Sequence, residues 1–195
     1  MSIDYSKIRV LVACEYSNIV SQAFRNQGCY VLSCDLDECN VPGSNHYQGN
    51  VFDIINDGWD IMIAHPPCTY LCKAQLWRVS LDQERRKLQD KALDFVVKLS
   101  QAPIDKIAIE NPIGALSRLF RPPEQLIYPY QFGDPYRKDI HLWLKNLPPL
   151  LPTLLSPGRK SMSNHVNSRM SQAEKSKIKS RFFVGVANAM ASQWL

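Results

Sequence analysis

The chain has 195 residues, of which 45% are apolar, and a formal net charge of +5. This length suits one domain with a sizeable core and is short for two. No apolar run approaches the roughly 20 residues of a membrane-spanning helix. The first seven residues contain an early acid and no apolar core, unlike a signal peptide. We therefore expect a cytoplasmic protein without a membrane partner.

The six cysteines, at positions 14, 29, 34, 39, 68 and 72, bear on redox and metal chemistry. A disulfide framework is uncommon in a cytoplasmic chain of this size. Cys29, Cys34 and Cys39 lack the close Cys-x-x-Cys pairing of a zinc site. The pattern therefore predicts free thiols and no metal ion.

The first elements resemble a nucleotide-binding unit. Residues 8–13 form an apolar run that predicts a strand, residues 14–18 a turn, and residues 19–26 a helix with one apolar side. Residues 30–34 predict a second strand, which Asp35 closes. An acid at this position can accept hydrogen bonds from both ribose hydroxyls, although Asp35 could also be an ordinary loop residue.

The segment around Cys68 organises the rest of the chain. Residues 61–64 form a short unbroken apolar run, which is typical of a strand buried on both faces of a parallel sheet. Pro66 and Pro67 must end this strand, because proline cannot donate to a sheet ladder. Cys68 therefore follows the carboxyl end of a central strand, where open α/β sheets bind ligands.

A second strand, residues 107–109, ends in Glu110 and Asn111, and the helix predicted over residues 81–101 crosses from one strand to the other. Adjacent parallel strands would bring Cys68 and Glu110 into one cleft. A cysteine and a carboxyl group are the pair that adds a thiolate to a pyrimidine ring, because the carboxyl group can protonate or hydrogen-bond a ring nitrogen.

The remaining chain predicts one more strand and a basic region. Residues 133–138 form a basic turn before a strand at 140–144, and a proline-rich linker follows. Residues 153–181 carry a strong basic excess, which can follow a phosphate backbone or can be a solvated loop. The tail at 182–191 predicts a helix that closes the sheet.

Two motifs together resemble a known family. Pro-Pro-Cys, ending at Cys68, and Glu110-Asn111 about forty residues later resemble the cytosine-C5 DNA methyltransferases. The longer stretches Ala-His-Pro-Pro-Cys-Thr-Tyr-Leu and Ile-Glu-Asn-Pro-Ile-Gly resemble a compact branch that bacteriophages encode. The resemblance implies a Rossmann-like α/β methyltransferase fold, one three-layer domain over residues 1–195 with a mostly parallel sheet, and a small recognition insert at 153–181.

The resemblance also implies a cofactor, S-adenosyl-L-methionine, over the carboxyl edge of the sheet. The positions that match the family's cofactor contacts are Cys14, Glu15, Tyr16, Ser17, Asp35, Asn50, Pro67 and Asn188. This chain departs from the family in its first turn, which contains no glycine. Asn18 tolerates a positive φ better than most residues, so we expect the turn to form.

DNA is the partner that the resemblance implies. Arg137 or Lys138, in a partial match to the family's eighth motif, would reach a phosphate. The expected contacts in the insert are Arg159, Lys160, Arg169, Lys175, Lys177 and Lys179. Residues 71–80, which contain Lys73 and Trp77, could fold over a flipped base or could be an ordinary surface loop.

The expected reaction is methyl transfer to C5 of cytosine in duplex DNA, without a metal. Cys68 would add to C6, Glu110 would assist at N3, and Asn111 would fix the geometry. One alternative keeps this chemistry on a free cytosine nucleotide or on single-stranded DNA. Another is a non-catalytic DNA-binding protein with a degenerate cofactor site. By resemblance, the role would be protection of a viral genome from restriction in the host cytoplasm.

Overall fold

A seven-stranded sheet forms the centre of the molecule in a computed structural model that describes residues 4–157, 170–171 and 181–195. Its strands, within those residues, are β1 (Arg9–Ala13), β2 (Tyr30–Asp35), β3 (His46–Gln48), β4 (Ile61–Ala64), β5 (Lys106–Asn111), β6 (Gln125–Ile127) and β7 (Ile140–Lys145). The α-helices of the described chain are α1 (Ile19–Asn26), α2 (Leu76–Leu81), α3 (Gln83–Ser100), α4 (Leu116–Leu119) and α5 (Val184–Gln193). Short 3-10 helices occupy Tyr5–Lys7, Val51–Asp53, Lys73–Gln75 and Pro129–Gln131.

The strand order is β3-β2-β1-β4-β5-β7-β6, and the sheet is parallel from β3 to β5. β7 runs antiparallel to β5, and β6 runs antiparallel to β7. The predicted α/β class with a mostly parallel sheet is thus confirmed. From β1 the chain moves outward to β2 and β3, then returns to the other side of β1 as β4. This reversal creates a crevice at the carboxyl ends of β1 and β4, where such sheets bind ligands.

Helices cover both faces of the sheet, and the alternation of side chains along β1 illustrates why. Val10 and Val12 pack in one core cluster with residues of α1 and α5. Leu11 and Ala13 point to the opposite face and pack in a second cluster with residues of α3. All four of these β1 side chains are fully buried. Burial on both faces explains the continuous apolar runs of the central strands.

Some element boundaries differ from the sequence prediction. The long helix begins at Gln83 and not at residue 81, because Leu81 ends the separate helix α2. Asp82 caps α3: its Oδ1 accepts the backbone N–H groups of Glu84 and Arg85 at 2.9 and 3.2 Å. None of the helices in the described part of the chain has the length and apolar composition that crossing a bilayer would need.

The capping role of Asp82 can be tested by stability measurements. Asp82→Ala leaves two N–H groups at the start of α3 without their acceptor, and should lower the free energy of unfolding by about 1 kcal/mol. Asp90→Ala removes an exposed acid from the same helix and should change the free energy of unfolding by less than about 0.5 kcal/mol. Urea unfolding monitored by circular dichroism measures both; equal losses in the two variants would contradict the assignment of this cap.

Candidate functional site

A cavity of about 310 Å³ lies at the crevice where the strand order reverses. Its walls come from the segments that follow β1, β2 and β4, from residues 49–51 and from α3. The lining residues are Cys14, Cys34, Asp35, Leu36, Gly49, Asn50, Val51, Pro67, Ala92 and Phe95. The volume lies in the range of small-molecule sites, and mostly apolar walls with a few polar groups are typical of them.

The glycine-free turn after β1 forms through two residues with left-handed backbones. Cys14 has a φ of 59° and Asn18 a φ of 62°. The expectation that Asn18 would adopt a positive φ is therefore confirmed. The same conformation at Cys14 costs roughly 1–2 kcal/mol for a residue with a Cβ. Cys14 lines the cavity, and burial raises the pKa of its thiol above the ordinary range.

Glu15 is buried beneath this turn and acts as the cap of α1. Its Oε1 accepts the N–H of Val20 at 2.7 Å, and its Oε2 accepts the N–H and the hydroxyl of Ser21 at 3.1 and 2.6 Å. The Ser17 hydroxyl donates to Oε1 at 3.2 Å. The carboxylate thus satisfies N–H groups that a helix start leaves without partners. Glu15, Ser17 and the largely buried Tyr16 are not among the residues that line the cavity.

Asp35 and Asn50 stand in the cavity wall, each with a local hydrogen bond. Asp35 Oδ1 accepts the N–H of Asp37 at 3.0 Å, and burial raises the pKa of the Asp35 carboxyl group. Asn50 Oδ1 accepts the N–H of Phe52 at 3.1 Å, so the oxygen expected to meet an adenine amino group already has one donor. Asn188 lies on the exposed side of α5, and the structure does not bring it to the cavity.

Cys68 is half-buried beyond the tip of β4, next to the cavity wall at Pro67. The Asn111 side-chain amide donates to the carbonyl of Pro66 at 2.8 Å, which fixes the backbone two residues before the sulfur. Burial raises the pKa of the Cys68 thiol, and the neighbouring Cys72 and Glu110 raise it further, whereas Lys138 lowers it. The thiol is therefore largely protonated at neutral pH.

Glu110 lies beside the tip of β4 because of the strand register. Ala64 pairs with Ile109, so the next residues on the two strands, His65 and Glu110, are neighbours. His65 Nδ1 lies 3.3 Å from Glu110 Oε2, and both side chains are 12% exposed. Burial by itself would raise the pKa of Glu110, but the His65 hydrogen bond and the positive charge of Lys138 hold it below its usual value.

The loops that follow Cys68 and Glu110 are held against each other by backbone contacts. Cys72 and Gly114 form an isolated β-bridge. The N–H of Lys73 donates to the carbonyl of Ile113 at 2.9 Å, and the N–H of Ala115 donates to that of Leu71 at 2.7 Å. A Cβ at Gly114 would lie 1.9 Å from the Leu71 oxygen. Only glycine therefore allows this close approach of the two loops.

The structure distinguishes between the two basic residues of the turn before β7. Arg137 is exposed, whereas Lys138 is half-buried, with its Nζ 5.7 Å from the ring centre of Phe183. The positive charge of Lys138 lowers the pKa of both Cys68 and Glu110, so this side chain lies near both groups. The six expected DNA contacts between Arg159 and Lys179 lie outside the described residues.

The sequence motif Ala-His-Pro-Pro-Cys contains His65, but its pattern predicted no role for this residue. The available signal was a titratable side chain at the strand tip, directly before the proline pair. Its contact with Glu110 depends on the register of β4 and β5, which the sequence does not specify.

Neither a scan of the sequence against protein-family models nor a search of curated proteins gave a match. The function must therefore be inferred from the chemistry of the cleft.

The electrostatic role of Lys138 can be tested through the reactivity of Cys68. Lys138→Met removes a charge that lowers the pKa of the thiol, so a higher pH should be needed to reach the same rate of Cys68 alkylation. Arg137→Met removes a charge from the adjacent exposed position and should leave the profile unchanged. Iodoacetamide labelling between pH 7 and 10, followed by peptide mass spectrometry, distinguishes Cys68 from the other five cysteines. Equal shifts in both variants would refute this role of Lys138.

Proposed function

We propose that the protein is an enzyme that transfers a methyl group from S-adenosylmethionine to C5 of cytosine in DNA, through a covalent adduct on Cys68. The observation that carries the proposal is the placement of Cys68 and Glu110 beyond and at the tips of adjacent parallel strands. Their electrostatic coupling supports a shared cleft, and Pro67 connects that cleft to the cavity. The family resemblance of both motifs agrees with this chemistry.

The cavity suits the nucleoside part of the proposed cofactor. Asp35 stands at the end of β2, where a carboxylate can accept hydrogen bonds from ribose hydroxyls. Leu36, Val51 and Phe95 offer apolar surface for a purine ring. Pro67 borders the cavity directly before Cys68, so a group extending past it would approach the sulfur. When bound, S-adenosylmethionine would supply an electrophilic methyl group.

Four residues near the strand tips contribute to the first chemical step. The Cys68 thiolate forms a bond to C6 of the cytosine, and the electrons of the C5–C6 double bond shift through C4 to N3. Glu110 donates a proton to N3 and thereby neutralises the developing charge. Lys138 favours the thiolate that begins the step. Asn111 fixes the backbone before Cys68 through the Pro66 carbonyl.

The later steps return these residues to their starting state. C5, now electron-rich, takes the methyl group. Water then takes the proton from C5, which restores the C5–C6 double bond and expels the Cys68 thiolate. The proton on N3 returns to Glu110. A duplex substrate would require the cytosine to leave the base stack, at a cost of a few kcal/mol.

The formed cofactor turn favours an enzyme over a non-catalytic DNA-binding protein. Cys14 and Asn18 adopt the backbone that glycine usually provides, Glu15 caps the following helix, and the cavity beside them is open. A degenerate site would not need this arrangement. For single-stranded DNA or a free cytosine nucleotide as the substrate, the chemistry of Cys68 and Glu110 would be the same.

The proposed reaction predicts a specific pattern of methyl transfer. Wild-type protein should transfer labelled methyl groups to cytosine in duplex DNA, and Cys68→Ser should be slower by at least about 10³-fold, because a hydroxyl is a far weaker nucleophile. Cys39→Ser, at a half-buried cysteine that is not part of the cavity wall, is the matched control and should keep its activity. Single strands and free nucleotides tested in parallel identify the substrate.

Calorimetry with S-adenosylmethionine provides the companion measurement. Cys68→Ser should bind the cofactor as wild-type protein does, because the sulfur is not part of the cavity wall. Normal methyl transfer by Cys68→Ser would refute the covalent mechanism. No detectable cofactor binding by wild-type protein would favour the non-catalytic alternative.

A further inference from the structure

His65 occupies a fixed position at the tip of β4, and the steps above give it no role. Its backbone N–H donates to the carbonyl of Ala13 at 2.9 Å, which ties it to the carboxyl end of β1. Its ring lies 4.6 Å from the ring of Phe182, measured between centroids. With only 12% of the side chain exposed, the imidazole is held between the sheet edge and the segment that precedes α5.

One ring nitrogen of His65 contacts Glu110, and the other has no hydrogen-bond partner among the described residues. Nδ1 lies 3.3 Å from Glu110 Oε2, and an ionised carboxylate can only accept, so Nδ1 carries the hydrogen of this bond. Nε2 is buried, and no described residue offers it a hydrogen bond. A buried polar atom without a partner is costly, and a role in chemistry is one reason for such an atom to be retained.

The proposed reaction requires a proton that Glu110 does not readily hold. Glu110 must protonate N3, yet its surroundings hold its pKa below the usual value despite its burial. The titratable or charged groups that act on Glu110 are His65 after β4, Lys138 before β7 and His141 on β7, and Glu110 in turn raises the pKa of the Cys68 thiol. Burial lowers the pKa of His141, which therefore carries little charge at neutral pH.

We propose that His65 is a positioning residue for Glu110 that also stores the proton which Glu110 passes to N3 of the target cytosine. The inference rests on the proposed methyl transfer. The hydrogen bond from His65 fixes one carboxylate oxygen of Glu110 and leaves the other oxygen to face the base. Among the groups around Glu110, His65 is the one in hydrogen-bond contact with it in the described structure.

Glu110 and His65 supply and recover the proton that N3 takes up, while water takes the proton that leaves C5. When the Cys68 sulfur bonds to C6, N3 takes a proton from Glu110, and Glu110 takes one from Nδ1 of protonated His65, which becomes neutral. After methylation and loss of the C5 proton, the N3 proton returns through Glu110 to His65. The histidine therefore ends the cycle in the form in which it began.

His65→Asn tests this role, because the asparagine amide can replace the Nδ1–H donor but cannot store a proton. The active form combines the Cys68 thiolate with a proton on the His65–Glu110 pair, so the wild-type rate should rise with pH and level off once that pair loses its proton. In His65→Asn the pH at which the rate levels off should move down by about one unit or more, because an ordinary glutamate titrates about two units below an ordinary histidine. The rate near neutral pH should drop on the order of 10²-fold.

Two further results separate this proton role from simple packing and from failure of the proposed function. A rate that levels off at its wild-type pH in His65→Asn, whether or not the rate is lower, would overturn the proton role. In that case cofactor binding measured by calorimetry shows whether the fold is intact. Absence of methyl transfer by wild-type protein at every pH would instead refute the proposed function itself.

A spectroscopic measurement tests the His65–Glu110 pair without any turnover. In ¹⁵N spectra of histidine-labelled protein at alkaline pH, the His65 signal, identified by its loss in His65→Asn, should be that of the Nδ1–H tautomer. Glu110→Ala should remove this preference because the acceptor is gone. A wild-type His65 that carries its hydrogen on Nε2 would overturn the inference.

Discussion

The pairing of β4 with β5 is the constraint on which the cleft depends. These strands are parallel and adjacent, with Ala64 opposite Ile109, so the residues after them emerge at the same sheet edge. Proline then ends each strand, at Pro66 and Pro112, and the bridge between the following loops prevents them from separating. A shift of one residue in this register would turn the side chain of Glu110 to the other face of the sheet.

The cleft brings together groups whose charges oppose one another. Burial and the carboxylate of Glu110 both disfavour the thiolate of Cys68, whereas Lys138 favours it. The same Lys138 and the hydrogen bond of His65 favour the ionised form of Glu110. A proton on the His65–Glu110 pair would relieve the repulsion of the Cys68 thiolate. The protonation states of the nucleophile Cys68 and the acid Glu110 in the proposed mechanism therefore depend on each other. A proton on Glu110 favours the thiolate, and a thiolate favours the proton on Glu110.

Local sequence patterns predicted the elements that build the site, and tertiary contacts account for what they missed. The apolar run at 61–64 gave the bounds of β4, and residues 19–26 those of α1, because periodicity and flanking residues act locally. The capping role of Glu15 depends on how the chain folds back over α1. The contact of His65 depends on strand register, and the exposure of Asn188 on how α5 packs. The antiparallel direction of β7 cannot be read from an apolar pattern that is the same for either direction.

Trapping of the covalent adduct tests the central claim most directly. In DNA that carries 5-fluorocytosine at the target, fluorine cannot leave C5 as a cation, so the bond between sulfur and C6 should persist after methyl transfer. With S-adenosylmethionine present, we expect wild-type protein to form a denaturation-resistant complex, and peptide mass spectrometry should locate the methylated base on Cys68. A complex linked through another cysteine, or no complex with DNA that the protein methylates in its unfluorinated form, would contradict the account.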